Sequence, residues 1–257
     1  MIELDGIGKQ FGTQWAVRDL TLRVEPGTFF TFLGPNGAGK TTTMKMMAGL
    51  LRPTTGTIKI CGFDVAREPV AVKARIGYIP DHPYLYGKLT GREFLSFVGG
   101  LYCLERDRIR SGIEALLAAF ALEAEADKLI DGYSHGTRQR LAFAACFLHQ
   151  PRVVIIDEPW IGLDPRNIRT AIEFLKRRAR EGTTIFMSTH TLDLAEEIAE
   201  RIGIISSGRL IYDGDAAGLR GGSAGGIEEA FLELTEGRTE PAPPAGAGWG
   251  SSPGGVQ

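Results

Sequence analysis

The chain has 257 residues, 43% of them hydrophobic, and a formal net charge of −2. That is enough apolar material for the core of one large domain, or of one domain with an inserted lobe. The near-neutral balance argues against a protein drawn to nucleic acid or an anionic membrane by its overall charge.

Short strands separated by turns are expected over residues 1–80, at Thr21–Glu25, Thr28–Leu33, Thr57–Cys61 and Arg75–Ile79, with one helix over about Lys40–Leu51. Residues 82–150 change character. Phe94, Phe97, Val98 and Leu101 follow helical spacing, as do Ile109, Ile113, Leu116, Leu117 and Phe120. Strand character returns at Val153–Ile156, Thr184–Met187, Ile202–Ser206 and Arg209–Tyr212, with helices near 167–180 and 192–200. Strands alternating with helices predict an α/β core with parallel strands, interrupted by a helical insert. Gly221–Gly226 reads as a flexible joint, Ile227–Thr235 as a short amphipathic helix, and the Pro/Gly/Ala-rich end, with Trp249, as a disordered tail.

The basic run Lys176-Arg177-Arg178-Ala179-Arg180 is local and reads as a solvated helix face. The cysteines at 61, 103 and 146 lack metal-ligand spacing and suit a reducing cytosol. The opening MIELDGIGKQ has no apolar signal region, and no apolar run nears the ~20 residues that cross a bilayer. Work at a membrane is therefore expected to go through a partner.

Three segments carry chemistry. Gly34-Pro35-Asn36-Gly37-Ala38-Gly39-Lys40-Thr41, followed by Thr42, fits G-x-x-x-x-G-K-[ST] between an apolar strand and a helix. The glycines let backbone N–H groups turn onto a phosphate chain, Lys40 supplies a point charge, and Thr41 offers a hydroxyl to Mg²⁺. Val153-Val154-Ile155-Ile156-Asp157-Glu158 is a buried strand ending in two carboxylates. Asp157 is placed to hold the Mg²⁺ shell, and Glu158 to polarise an attacking water as general base. Ser188-Thr189-His190 follows another core strand, where ligands gather in such sheets. His190 is expected to donate to a γ-phosphate and orient the water.

Together these residues resemble the ATP-binding-cassette (ABC) ATPases, the nucleotide-binding subunits of ABC transporters, over roughly residues 1–219. The resemblance implies an α/β fold: a P-loop NTPase (RecA-like) core, antiparallel β strands at its N-terminal side, and a helical subdomain inserted at 81–150. Residues 220–237 would then be a linker and short C-terminal helix, and 238–257 a disordered tail. Phe11-Gly12, 23 residues before Gly34, matches the loop whose aromatic stacks on adenine. Such stacking contributes roughly 1–3 kcal/mol. A core phenylalanine is the other reading of Phe11, and Trp15 is the alternative stacking residue. Gly162-Leu163-Asp164-Pro165 matches the loop whose aspartate crosses the family's dimer interface.

Tyr133-Ser134-His135-Gly136-Thr137 falls where the family's signature, usually LSGGQ, lies. In the family this segment caps the γ-phosphate bound by the opposite subunit. Here Ser134 and Gly136 are kept, while His135 and Thr137 depart; a plain helix cap is the competing reading. Asp81 replaces a glutamine that touches Mg²⁺ and water, and is carried over as a metal-sensing position, with a loop acid as the alternative. Tyr84, Leu85 and Tyr86 are expected at the face that receives a permease. Trp160 is left between an interface role and space filling.

The implied protein is an ATPase using ATP and Mg²⁺. Its partners would be a multi-span membrane permease and a second nucleotide-binding subunit, in a homo- or heterodimer, on the cytoplasmic face of the membrane. No nucleic acid is expected. The relaxed signature leans toward export. The other function class is a nucleotide-gated clamp on nucleic acid or a ribosome, which one cassette without heptads or basic balance disfavours.

Overall fold

The computed structural model describes residues 1–160, 162–215, 218, 219 and 226–236. Of the expected joint Gly221–Gly226, residues 221–225 lie outside the described residues, as does the expected tail at 238–257, while Gly226 begins a helix.

Among the described residues there are two sheets. β1 (Ile2–Phe11), β2 (Gln14–Val24), β4 (Thr55–Ile60) and β5 (Phe63–Asp64) form an antiparallel sheet in the order β2-β1-β4-β5. The second sheet runs β10-β9-β3-β8-β7-β6, built from β3 (Phe29–Leu33), β6 (Ile76–Ile79), β7 (Val153–Asp157), β8 (Thr184–Thr189), β9 (Arg201–Ser206) and β10 (Arg209–Gly214). Its strands are parallel except β10, which pairs antiparallel with β9. This is the mixed α/β architecture implied by the resemblance.

The central strands are apolar at nearly every position because both faces are covered. Val154, Ile156, Ile185 and Met187 face one core, shared with the helical lobe. Their neighbours Val153, Ile155 and Phe186 face the other, shared with the antiparallel sheet. The helix α1 (Lys40–Met47) lies in that second core through Met44, Met46 and Met47. The rings of Phe30 and Phe186 stack there at 5.1 Å. Phosphate-loop and sheet are thereby fixed to one another by burial of large side chains.

The segment expected to be helical holds α3 (Gly91–Leu101), α4 (Arg106–Ala119), a 3₁₀ turn at Ile130–Gly132 and α5 (His135–Phe147). Thr90 opens α3 with a capping box to Glu93. Phe94, Ile113, Leu116, Leu117 and Phe120 are buried as their spacing predicts, but Phe97 and Leu101 are exposed at 43% and 66%. A helical stripe wider than its neighbours can cover leaves its edge in solvent.

Three further helices complete the chain as described: α6 (Pro165–Arg180), α7 (Leu192–Ile198) and α8 (Gly226–Glu236). The helix α2 (Pro69–Lys73) and the long β1 were not expected from sequence. Register shifts between Leu4 and Ile7 and again at Lys9 break the period-two pattern of β1.

His149 follows α5 and is buried. Its Nε2–H donates to the Ile76 carbonyl at 2.9 Å, and its ring stacks on Tyr102 at 3.7 Å. Burial lowers its pKa to about 4, with the backbone bond opposing and Arg108 reinforcing that shift. A histidine held neutral in the fold contributes stability that is complete above the unfolded value near 6.5 and is lost as pH falls toward 4. Unfolding free energy should therefore drop by on the order of 1–3 kcal/mol across that window. In His149→Gln that part of the slope should vanish from urea titrations at stepped pH; an unchanged slope would assign it elsewhere.

Candidate functional site

The Gly34–Thr42 loop leaves the buried end of β3 and enters α1. Gly34 is obligatory by contact, since a Cβ there would overlap the Ile205 carbonyl. Gly39 caps α1 at φ +112°, a conformation side chains disfavour, and abuts the Ala16 carbonyl. Lys40 is only 6% exposed. Its ammonium donates to the Gly34 carbonyl at 2.6 Å and to that of Pro35 at 3.3 Å. The cation is thus folded over its own loop, where phosphate oxygens would be met.

β7 and β8 pair in register so that Asp157 lies opposite Ser188. The Ser188 hydroxyl donates to Asp157 Oδ1 at 2.6 Å and accepts the Glu158 N–H at 3.1 Å. Asp157 is fully buried, and its Oδ2 has no partner among the described residues. Glu158 takes φ +47°. Left-handed backbone costs an L-residue roughly 1–2 kcal/mol. In this conformation its carboxylate reaches two cations or cation-forming groups: Oε2 stands 2.8 Å from His190 Nδ1, and Oε1 3.5 Å from Lys40 Nζ.

Residues 35–42, Ala16, Asp81, Glu158 and His190 line one cavity of about 370 Å³. Asp81 accepts from the His82 N–H at 2.9 Å, and its other oxygen lies 3.1 Å from His82 Nδ1. Nearby, burial and then the charges of Asp157 and Asp81 push the Tyr78 phenol well above its usual range. That phenol stays neutral, so negative charge in the cavity comes from carboxylates.

A second cavity of about 650 Å³ adjoins the loop at Gly37 and is lined by Gln14, Trp15, Arg18 and the Ser206–Arg209 turn. Phe11 does not line it. Phe11 is 52% exposed, with the Lys9 ammonium 5.3 Å from its ring. Gln10 pairs with Trp15 and Phe11 with Gln14 across the β1–β2 hairpin. The two aromatics therefore occupy opposite faces.

Ser134, Gly136 and Asp164 also stand apart from the loop cavity. Ser134 caps α5, accepting from the Thr137 N–H at 3.2 Å, with the two hydroxyls 2.9 Å apart. Gly136 packs against Gly162. Asp164 caps α6, accepting from the Asn167 N–H at 2.9 Å and its side-chain amide at 2.6 Å. Phe11 apart, the expected site residues thus fall into two groups: one around the loop cavity, one where α5 meets the loop before α6.

The sequence pattern of the family described as ABC transporter matches residues 17–160. The chain belongs to the ABC transporter family. It is 39% identical to the daunorubicin resistance ATP-binding protein DrrA3 of Streptomyces coeruleorubidus, over 87% of this chain and 71% of that protein. It is 38% identical to the ABC transporter ATP-binding protein NatA of Bacillus subtilis, over 77% of this chain and 81% of that one. A solved ATP-binding subunit of an ABC transporter superposes with a TM-score of 0.86 at 32% identity, covering 91% of this chain and 99% of that one. This ABC protein is accordingly an ATPase that binds ATP, with the P-loop NTPase fold.

Sequence reasoning named Ser188 and Gly162 only as members of longer runs and gave neither a role of its own. Ser188 was read only as part of the run before His190; a serine ending the apolar strand Thr184–Thr189 was the available signal. Gly162, at φ +78°, makes its contact with residues 26–27 positions earlier, which no local pattern reports. Ser188→Ala should strip Asp157 of its donor in a buried setting. The expected loss is about 1–3 kcal/mol, read as a lower urea midpoint; wild-type stability would mean that another group already satisfies the carboxylate.

Proposed function

We propose that this ABC ATPase energises export through a separate multi-span membrane permease, working as a two-fold pair of nucleotide-binding subunits. The observation that carries the reading is the division of the site. Lys40, Glu158 and His190 converge on one cavity, while Ser134, Gly136 and Asp164 sit on another surface of the same chain. A second copy facing the first would bring the latter group to the former.

In the mechanism, residues 34–42 hold the phosphates through backbone N–H groups and the Lys40 ammonium. Glu158 accepts a proton from water as it attacks the γ-phosphate in line. His190, already hydrogen-bonded to Glu158, orients that base and offers its other ring nitrogen toward the phosphate. The Ser134 hydroxyl and the first N–H groups of α5 cap the γ-phosphate from the opposite subunit. The residues also fit Mg²⁺. Asp157 presents a buried, unpartnered oxygen, and the Thr41 hydroxyl and Asp81 carboxylate belong to residues lining the cavity, an all-oxygen donor set. Mg²⁺ prefers such sites, keeping waters and phosphate oxygens as its remaining ligands. Thr41 and Asp157 would hold it, with Asp81 at its edge, and it would neutralise phosphate charge.

Tyr84, Tyr86, Phe97 and Leu101 supply the surface for the permease, on the cytoplasmic face of the membrane. They are exposed at 83%, 48%, 43% and 66%, and Tyr86 meets both Tyr84 and Phe97 edge-on, whereas Leu85, expected on this face, is buried in the core of the lobe. Export is supported by relatives named for drug resistance and for Nod factor export.

Glu158→Gln should lower turnover by about 10²–10⁴-fold while ATP traps a dimer that copurifies with the permease. Ser134→Ala should slow turnover without weakening ATP binding by the monomer. Undiminished hydrolysis in the first variant would remove Glu158 as base, and in the second would reduce Ser134 to a cap.

For the base, the cavity geometry favours Trp15 over Phe11. Trp15→Ala should weaken ATP binding by about 5–150-fold, the equivalent of 1–3 kcal/mol of stacking. Equilibrium binding of a fluorescent ATP analogue measures this; a larger loss in Phe11→Ala would return the role to Phe11.

A further inference from the structure

The first turn of α5 is wedged against the loop that leads to Asp164. His135 begins α5 and lays its imidazole over Gly162: a Cβ on Gly162 would overlap the ring carbon Cδ2. One residue on, Gly136 fits beneath the Gly162 carbonyl, where a Cβ would stand 3.0 Å from the oxygen and 3.7 Å from Leu163 Cδ2. The loop has no easy retreat. Its Leu163 N–H donates to the Trp160 carbonyl at 3.2 Å, and the Leu163 side chain packs into the core beside the helical lobe.

Asp164 follows directly and is fixed by its own cap. Its carboxyl is held below the usual range, first by the Asn167 N–H and in lesser part by the Arg140 guanidinium of α5. Arg140 is itself anchored, donating to the carbonyls of Phe120 and Ala121 and to Thr137 Oγ1. Packing and charge thus both link α5 to this loop.

We propose that His135 is a positioning residue that locks the segment bearing Ser134 and Gly136 to the loop bearing Asp164 within one subunit. The two then reach the partner's nucleotide as a single rigid piece. The inference rests on the two-copy reading above. It gives the non-glycine residue at 135 a purpose: the ring fills space that a glycine would leave open, and only a glycine at 162 can lie under it.

A double-mutant cycle tests the lock. Gly162→Ala, His135→Gly and the pair are compared for kcat, for ATP binding by the monomer, and, with Glu158→Gln added, for ATP-dependent dimerisation. Alanine at a positive φ is strained in both backgrounds, so that cost cancels in the cycle. Gly162→Ala alone should lower kcat and weaken the dimer by about tenfold, and should cost at least about threefold less once His135 is glycine. ATP binding by the monomer should stay at the wild-type value throughout. His135→Phe, which keeps a flat ring, should restore most of what His135→Gly loses; thermal melts confirm that each variant is folded. If the Glu158→Gln chain with both residues intact stays monomeric in ATP, the two-copy reading falls and takes the lock with it. If it dimerises and the two substitutions simply add, or if His135→Phe behaves like His135→Gly, the lock alone is overturned.

Discussion

A carboxylate taken entirely out of water organises this molecule. Asp157 closes β7 with no exposed surface, and burying such a group costs several kcal/mol unless neighbours answer it. The Ser188 hydroxyl does so from the adjoining strand, and the same oxygen receives the Glu158 N–H. That three-way contact pins the ends of β7 and β8 together. It also sets where the next residues of each strand emerge. Glu158 and His190 leave side by side and meet at 2.8 Å; Lys40, at the end of the neighbouring loop, approaches Glu158 to 3.5 Å. The positions of Glu158 and His190 are therefore set by strand register, the least deformable feature of a sheet buried on both faces.

The parts that were legible in the sequence are those whose signals are local. The Gly34–Thr42 loop, the Asp157-Glu158 strand end and the His190 turn each combine a strand, a turn and a polar residue within about ten positions. The parallel core followed from the same alternation. What was missed depends on contacts distant in sequence or on broken periods. β1 hides because three register shifts disrupt its alternation. The edge of the helical stripe at Phe97 and Leu101 could be read as apolar but not as uncovered, since periodicity names a face without naming its neighbour. Phe11 was chosen by its distance along the chain from Gly34. Trp15 was its stated alternative; that Trp15 lines the cavity beside the loop while Phe11 lies on the other face of the hairpin is a matter of register that spacing alone does not report.

The helical lobe serves two surfaces at once. Its aromatic edge, from Tyr84 to Leu101, faces outward, while α5 brings Ser134 and Gly136 against the loop that follows Glu158. Residues behind each surface, Phe94 and Leu95 of α3 and Leu141 and Phe143 of α5, belong to the same packed cluster as Ile156 and Met187 of the central sheet. A displacement at one surface is therefore transmitted through closely packed side chains, which shift between arrangements more readily than they stretch.

The separation of the two groups of residues has a consequence at the level of the cell. On the two-copy reading, no single chain holds a finished catalytic centre, so hydrolysis rises with the square of concentration until the pair is saturated. Stray subunits, diluted in the cytoplasm and away from a permease, would idle with ATP bound and spend little of it. A permease that seats two of them raises their local concentration far above the bulk value. On that reading fuel consumption would be confined to assembled pumps, with no inhibitor or modification required to keep the spare copies quiet.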